Sequence, residues 1–360
     1  MLNLYLLFLL AFFLLMIMLK LFDIYRKKIS LQNVNLKELT LLVPFRDEEK
    51  NLPQLLESLY NQTVQPEYLI FVNDHSSDYS VSIIQAYQSK LSNIKLLHLS
   101  EDKTGKKSAL KKGIAELETR YVLTLDADVK LSSNYFETLA YLSSNTIIGL
   151  PVIMESCNGF GQIIKAEHLF FNAFNYLISA VWPISLSGAN LLIDTSQIDY
   201  NAQLKEHEHI ASGDDYFLLQ HARKKGIPIA INNDFNLSAT TESPRDLSSY
   251  LQQRIRWLSK GKLKVNWTDL VIGAFIPVYF FGGIIVLIYE VIQLNWIGVL
   301  TVLVLRFLLD AFVLINYAQT LRQTKIVFIL PLFQIVYPFL FLMVLIGSIF
   351  YKPTWKKRRI

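Results

Sequence analysis

Long uncharged stretches bracket a polar middle along this 360-residue chain. Residues 2–19 hold no charged side chain, and about 18 to 20 apolar residues suffice for a helix to cross a bilayer. Lys20, Arg26, Lys27 and Lys28 follow this run and no basic residue precedes it, the polarity of a retained anchor rather than a cleaved signal peptide. Basic flanks stay on the cytoplasmic side, so the chain after Lys20 is expected there. Charges then occur throughout residues 29 to about 265, and beyond Asp269 the apolar pattern returns. Residues 270–289 and 326–351 are uncharged, and 296–321 hold only Arg306 and Asp310. Three more apolar helices are predicted. Four full crossings would leave Lys356, Lys357, Arg358 and Arg359 outside, against the positive-inside tendency, whereas a re-entrant or interfacial 270–289 would return the tail inside. The pattern leaves both open. Arg306 and Asp310 stand four apart on one helix face and are expected to form an ion pair that makes insertion tolerable.

The polar middle alternates strand and helix. Continuous apolar runs at 39–45 (LTLLVPF), 68–72 (YLIFV), 94–99 and 121–125 (YVLTL) read as buried strands. Between them, residues 51–60, 81–91 and 107–117 have helical spacing, with Leu52, Leu55, Leu56 and Leu59 on one face of the first. This alternation predicts an α/β domain with a mostly parallel sheet covered by helices on both faces. The expected organisation is an anchor over 1–28, a cytoplasmic domain over 29–265, and a C-terminal membrane region over 266–360 with about three hydrophobic helices and a basic tail. In sheets of this kind ligands bind beyond the carboxyl ends of the strands. Acids stand there: Asp74 after the second strand, Asp126 and Asp128 after the fourth.

Composition agrees with a membrane protein, at 52% hydrophobic and 18% charged residues. A net charge of +5, scattered except beside the apolar segments, argues against a nucleic-acid partner. A single cysteine, Cys157, can form no internal disulfide and reads as a small buried hydrophobe.

Several short constellations could carry chemistry, each with a plainer alternative. Asp126-Ala127-Asp128 offers two carboxylates that can converge on a hard divalent cation while leaving positions for phosphate oxygens, although such a triplet is also an ordinary turn. Gly105-Lys106 opens a helix whose backbone N–H groups and lysine could neutralise phosphate, but Lys107, Lys111 and Lys112 also make a solvated basic face. Asp214-Asp215 after Gly213 could cap a helix or take a proton from an acceptor hydroxyl. His207 and His209 have metal-pair spacing within a polar stretch and read as surface residues. Gln253-Arg254-Ile255-Arg256-Trp257 could clamp a phosphate or sit at a membrane interface. The aromatic stretch 162–182 reads as a core helix, or as a helix that receives a lipid.

Taken together, VPFRDEEKNL at 43–52, FVNDHSSD at 71–78, GKKSALKKG at 105–113, TLDADV at 124–129, SGAN at 187–190, SGDDYFLL at 212–219 and QQRIRW at 252–257 resemble the membrane-bound family 2 glycosyltransferases with a GT-A fold. The resemblance spans about residues 39–260. It implies a Rossmann-like GT-A domain plus transmembrane helices, and Mg²⁺ or Mn²⁺ as cofactor. It implies that Pro44 and Glu48 line the nucleotide pocket, that Asp74 contacts uracil or ribose, and that Lys106 lies on the phosphate side. Asp126 and Asp128 match the D-x-D motif, with Asp128 the direct metal ligand and Asp126 shared between metal and nucleotide. Asp215 matches the general base, and Gln253, Arg256 and Trp257 match Q-x-x-R-W. Gly188, Ala189 and Asn190 match the loop beside the acceptor or donor sugar. Two positions depart from the family pattern: Gly213-Asp214-Asp215 stands for T-E-D, which leaves the base open between Asp214 and Asp215, and Asn73 replaces a second acid.

The expected activity is inverting transfer of a sugar from a nucleotide-sugar, expected to be a UDP-sugar, to a lipid or glycan acceptor at the bilayer of the plasma or inner membrane. A processive polysaccharide synthase of the same family is the nearest alternative. A non-catalytic membrane scaffold or translocation subunit is the alternative of another class, though it would need neither the metal pair nor a base.

Overall fold

The computed structural model describes residues 1–25, 33–142, 147–156, 158–206, 213–260 and 266–350, with the backbone of 354–355 and 358–359. Cys157, His207, His209 and the four basic residues of the tail lie outside the residues whose side chains are described. In chain order the elements begin with α1 (Leu2–Tyr25), β1 (Leu39–Phe45), α2 (Leu52–Tyr60), β2 (Tyr68–Asn73), α3 (Ser80–Gln88), β3 (Ile94–His98), α4 (Lys106–Ile114) and β4 (Tyr121–Leu125). There follow β5 (Lys130–Leu131), α5 (Tyr135–Ala140), β6 (Ile147–Gly149), β7 (Val152–Glu155), α6 (Gly159–Ile178), β8 (Asn190–Asp194), α7 (Tyr200–Glu206) and α8 (Asp214–Lys225). The last are β9 (Ile229–Ile231), β10 (Ala239–Glu242), α9 (Leu247–Lys260), α10 (Trp267–Ile292), α11 (Trp296–Thr320) and α12 (Leu330–Phe350).

Contacts group these elements into two units whose limits differ from the expected boundaries. Residues 28–155 and 185–242 form an α/β unit; residues 1–27, 156–184 and 243–353 form a helical one. Thus α6 and α9, expected within the polar domain, pack with the apolar helices.

In the α/β unit, seven of the described strands form a sheet in the order β3-β2-β1-β4-β8-β6-β9. β3, β2, β1 and β4 run parallel, β8 is antiparallel to both β4 and β6, and β9 is parallel to β6. The alternation of side chains along a strand explains how a continuous apolar run serves two faces. Leu39, Leu41, Val43 and Phe45 of β1 join one core with Leu55, Leu59, Ile84 and Phe136 of α2, α3 and α5. Leu42 joins the opposite core with Ala109, Leu110, Leu204, Leu218 and Ala222 of α4, α7 and α8. Both faces are therefore covered, as predicted. β5, β10 and β7 form a second small sheet.

In the helical unit, four segments among the described residues are long and apolar enough to cross a membrane: Leu2–Phe22, Trp267–Ile292, Trp296–Thr320 and Thr324–Phe350. α10 continues unbroken for 26 residues through Pro277, roughly 39 Å at about 1.5 Å per residue. Exposed Trp267 and Trp296 stand at the starts of α10 and α11. α6 packs against α11, α12 and α1, and α9 against α12. The expected Arg306–Asp310 ion pair does not form. The Asp310 carboxylate accepts from Tyr279 Oη and Gln334 Nε2, each at 2.5 Å, while the Arg306 guanidinium lies 5.1 Å from the Tyr279 ring centre. Four-residue spacing set both residues on one face, but hydroxyl and amide donors from α10 and α12 reach the acid instead.

Candidate active site

The parallel strands on either side of β1 diverge in chain order, and the crevice at such a reversal, beyond the strand ends, is where ligands settle in open α/β sheets. β1 continues its pairing with β2 to Phe45 but pairs with β4 only as far as Leu42. Pro44 falls in the stretch without a partner on the β4 side, where a missing N–H is tolerated. It is buried. The loop after it is tied to the loop after β2: the N–H groups of Asp47, Glu48 and Glu49 donate to Ser76 Oγ, Ser80 Oγ and Asp78 Oδ2 at 3.1, 2.8 and 2.9 Å. Glu48 is thereby held on the rim, half-buried.

Asp74, the first residue after β2, is 1% exposed. Its Oδ2 accepts from the N–H of Gly105 at 3.0 Å, and Arg46 Nη1 stands 3.7 Å from its Oδ1. Gly105 adopts φ +94°, a conformation that suits glycine, and this turns its N–H toward Asp74 as α4 begins. The first side chain of α4, Lys106, reaches the end of β4, where its Nζ lies 2.5 Å from Asp126 Oδ1. The next residue of α4, the buried Lys107, stacks its ammonium 4.6 Å from the Phe217 ring centre of α8. That contact sets the start of α8, and with it Asp214 and Asp215, next to Lys106.

Gly188 marks the meeting point. A methyl at its α-carbon would lie 2.9 Å from Asp214 Oδ2, 3.4 Å from Lys106 Nζ and 3.8 Å from Asp215 Cβ. The N–H of Gly188 donates to Asp215 Oδ2 at 3.4 Å, and the N–H of Tyr216 to Asp215 Oδ1 at 2.8 Å. The structure thus brings Lys106, Asp126, Gly188, Asp214 and Asp215 together from four separate stretches of chain. Asp214 is the more buried of the adjacent acids, at 5% exposure, and Asp215 is half-buried. Burial pulls the Lys106 ammonium down, but Asp126, Asp214 and Asp215 outweigh it and hold its pKa above the usual lysine value.

Asp128 lies two residues beyond Asp126, in the turn that follows β4, 3.5 Å from the hydroxyl of Thr241 on β10. Its carboxyl is pushed up to about 6, by burial of the group first and then by the charges of Asp126 and Glu48. Because the residue exposes much of its surface, we give the crowding of like charges the greater weight. Among the described residues no group of three or more His, Cys, Asp or Glu side chains is arranged to hold a metal ion. The pair Asp126 and Asp128 nevertheless fits Mg²⁺ or Mn²⁺. Ions of this kind are commonly bound by one or two carboxylates, with the other positions filled by water and phosphate oxygens, and crowded acids gain from a cation between them.

Other expected residues take different places. Asn190 is wholly buried at the start of β8, and its amide is fully engaged by the fold. Its Oδ1 accepts from Tyr135 Oη at 2.5 Å, and its Nδ2 donates to the carbonyls of Pro151 and Leu237 at 2.8 and 2.9 Å. These bonds hold the backbone that carries Gly188 and Ala189. Ala189 is half-buried, with its N–H 3.4 Å from Ser187 Oγ. Gln253, Arg256 and Trp257 lie on α9, in the helical unit.

Two residues have surroundings that the sequence reading did not assign. Tyr200 Oη is buried without a hydrogen-bond partner, and Asp214 and Asp215 act on it electrostatically. No motif marks it. In the helical unit, Arg254, an unspecified position of Q-x-x-R-W, is 8% exposed and bonds Glu167 of α6 through Nε and Nη2 at 3.0 and 3.1 Å. It also donates to Gln253 Oε1 at 2.6 Å and lies 4.4 Å from the Trp257 ring centre. A charged residue thirteen places before the apolar segment that opens α10 would read as solvated, and only its partner on α6 says otherwise.

Comparison with known proteins bears on this arrangement. The family model described as Glycosyl transferase family 2 matches residues 40–181. An undecaprenyl-phosphate 4-deoxy-4-formamido-L-arabinose transferase of Photorhabdus laumondii is 28% identical over 202 residues, 55% of this chain and 56% of that protein. The glycosyltransferase GlyG of Streptococcus pneumoniae is 31% identical over 101 residues, 28% of this chain and 33% of its own length. The chain therefore spans a third to just over half of these relatives. In fold it is similar to the mannosyltransferase PcManGT of Pyrobaculum calidifontis, solved in complex with GDP-Man and Mn2+, with a TM-score of 0.57 at 14% identity over 99% of this chain and all of that one.

Proposed function

Starting from a chain that residues 40–181 place among the family 2 glycosyltransferases, we propose that it moves a sugar, with inversion, from a nucleotide-sugar to a lipid or lipid-linked glycan at the membrane. The observation that carries this reading is the convergence of Asp126, Lys106, Asp214 and Asp215 around Gly188 at the rim of the sheet.

In the proposed reaction the acceptor hydroxyl or phosphate oxygen attacks the anomeric carbon, forming the new glycosidic bond as the bond to the nucleoside diphosphate breaks and its electron pair leaves with that group. Asp215, the more accessible acid of the pair, takes the proton of a hydroxyl acceptor; a phosphate oxygen attacks without this step. Asp214, buried beside Lys106, holds the start of α8 in place. Lys106 supplies positive charge where the diphosphate departs. Asp74, locked by Gly105 and Arg46, shapes the base and ribose end, with Pro44 and Glu48 along its wall. A divalent cation held by Asp126 and Asp128 would neutralise charge on the leaving diphosphate. The roles of Gln253, Arg256 and Trp257 stay those that the resemblance implies, and no step is routed through them.

Four long apolar helices among the described residues, and the undecaprenyl phosphate in the name of the Photorhabdus relative, support a membrane-borne acceptor; the proposed donor is a UDP-sugar, with the domain facing the cytoplasm. The test is a screen of nucleotide-sugars for Mn²⁺-dependent nucleotide release by the protein in detergent or nanodiscs, with lipid extract as acceptor. One donor should be turned over, and Asp215→Asn should lower kcat with a hydroxyl acceptor by about 10²-fold or more while leaving the protein folded. Undiminished turnover by the folded variant would remove Asp215 as base.

A further inference from the structure

Lys106 stands at the first position of α4, where the partial positive charge of a helix N-terminus disfavours a cation. Acids from outside the helix hold it there. Its Nζ lies 2.5 Å from Asp126 Oδ1, and it converges with Asp214 Oδ2 on Gly188. Asp126 is also one of the two carboxylates that fit a divalent cation. It serves both partners poorly at once, because a dication about 2.0–2.1 Å from that carboxylate would stand within a few ångströms of the ammonium, where like charges repel.

We propose that Lys106 gates the metal site. It holds Asp126 against a divalent cation in the free protein, and a diphosphate-bearing donor draws the ammonium onto its own oxygens, which leaves Asp126 open. Nucleotide and metal are then taken up together, and the protein without donor binds metal weakly. This inference rests on the nucleotide-sugar reading above and adds to it an order of binding. Three features of the site favour such an exchange. The lysine side chain is 23% exposed and Asp126 37%, so the pair is accessible to a ligand. The residue after Lys106 is fixed, since Lys107 is buried against Phe217, so Lys106 can change partner by side-chain rotation alone. Asp214 and Asp215 stay beside the ammonium, so it keeps negative neighbours on leaving Asp126.

The experiment is Mn²⁺ binding to the full-length protein in detergent, followed by the electron paramagnetic resonance of free Mn²⁺, with no nucleotide and with UDP or GDP. Wild type should bind Mn²⁺ weakly alone and more tightly with a nucleotide. Lys106→Gln should bind Mn²⁺ alone about tenfold or more tightly than wild type, because one positive charge beside the dication is gone, and should gain less from the nucleotide. Lys106→Arg keeps the charge and should behave as wild type without nucleotide, which separates charge from packing. Unchanged or weaker nucleotide-free affinity in folded Lys106→Gln overturns the gate. If that occurs while the wild type turns over a nucleotide-sugar, only the gate is lost. If no nucleotide-sugar is turned over while Lys106→Gln shows its gain, the functional reading is lost and the gate stands.

Discussion

A single methyl at Gly188 tests whether the acids converge as the structure has them. In Gly188→Ala the new carbon would lie 2.9 Å from Asp214 Oδ2. Ordinary contact requires roughly 0.5 Å more, since carbon and oxygen repel steeply inside their contact distance. Asp214 is 5% exposed and cannot simply swing into solvent, so the start of α8, with Asp215 attached, must give way. Overpacking of this kind costs about 1–3 kcal/mol, which lowers Tm by roughly 2–12 °C in a domain of this size. A misplacement of about 1 Å can cost about 10²-fold in rate, so half of that predicts a fall in kcat of about tenfold. Nucleotide release under saturating donor and acceptor measures kcat, and thermal unfolding of the same preparation measures the packing cost. Gly188→Ala with wild-type kcat and wild-type Tm would mean that neither the crowding nor the catalytic use of this acid pair is right.

Further outcomes follow from the other ion pairs. Arg254→Met should destabilise the helical unit by about 3–5 kcal/mol, because it leaves the buried Glu167 carboxylate with the Tyr250 hydroxyl but without its cation, and the double variant with Glu167→Gln should recover part of that loss. Thermal melting in detergent checks this, and a single variant that melts with the wild type would refute it. Acid sensitivity should trace partly to Asp194. Burial pushes its carboxyl up, but bonds from Arg120 and Ser196 outweigh that and hold it below the usual carboxylate range. A lowered folded value means that this stability is complete above the unfolded value of about 4 and is lost as pH falls through the folded one. Arg120→Gln should therefore lose less stability than wild type between about pH 5 and pH 3, and equal losses would contradict the assignment.

Much of the α/β unit is legible in the sequence because its determinants are local. An apolar run such as LTLLVPF supplies side chains to both faces of a central strand, and Leu52, Leu55, Leu56 and Leu59 can share one side only in a helix. Asp74 and Asp126 follow strand ends in the sequence, so their place beyond the sheet was fixed as soon as the strands were. The long apolar helices were equally legible, since length and hydropathy suffice. What the local pattern could not supply is the choice of distant partner. The stretch 162–182 reads as a core helix or as one that receives a lipid, and in the structure its aromatic rings meet those of α1, α10, α11 and α12, because an apolar stripe states that it will be buried without stating against what. Spacing sets Arg306 and Asp310 on one face, but the donors that bond the carboxylate come from Tyr279 and Gln334 on other helices. Asn190 belonged to a motif, and its amide was taken by Tyr135 and two carbonyls that only folding brings near.

The candidate site divides in the same way. From the chain alone came the residue types: carboxylates at a strand end, a lysine at a helix start, two acids after a glycine. Only the tertiary structure decided that Lys106 joins Asp126 to Asp214 and Asp215, and that Gly188 leaves the gap in which they meet. The reason is the range of the forces involved. Backbone periodicity acts over a few residues and is written continuously along the chain, whereas a charge finds its partner across the tens of residues that separate 106, 126, 188 and 215, and that distance closes only when the two faces of the sheet are packed.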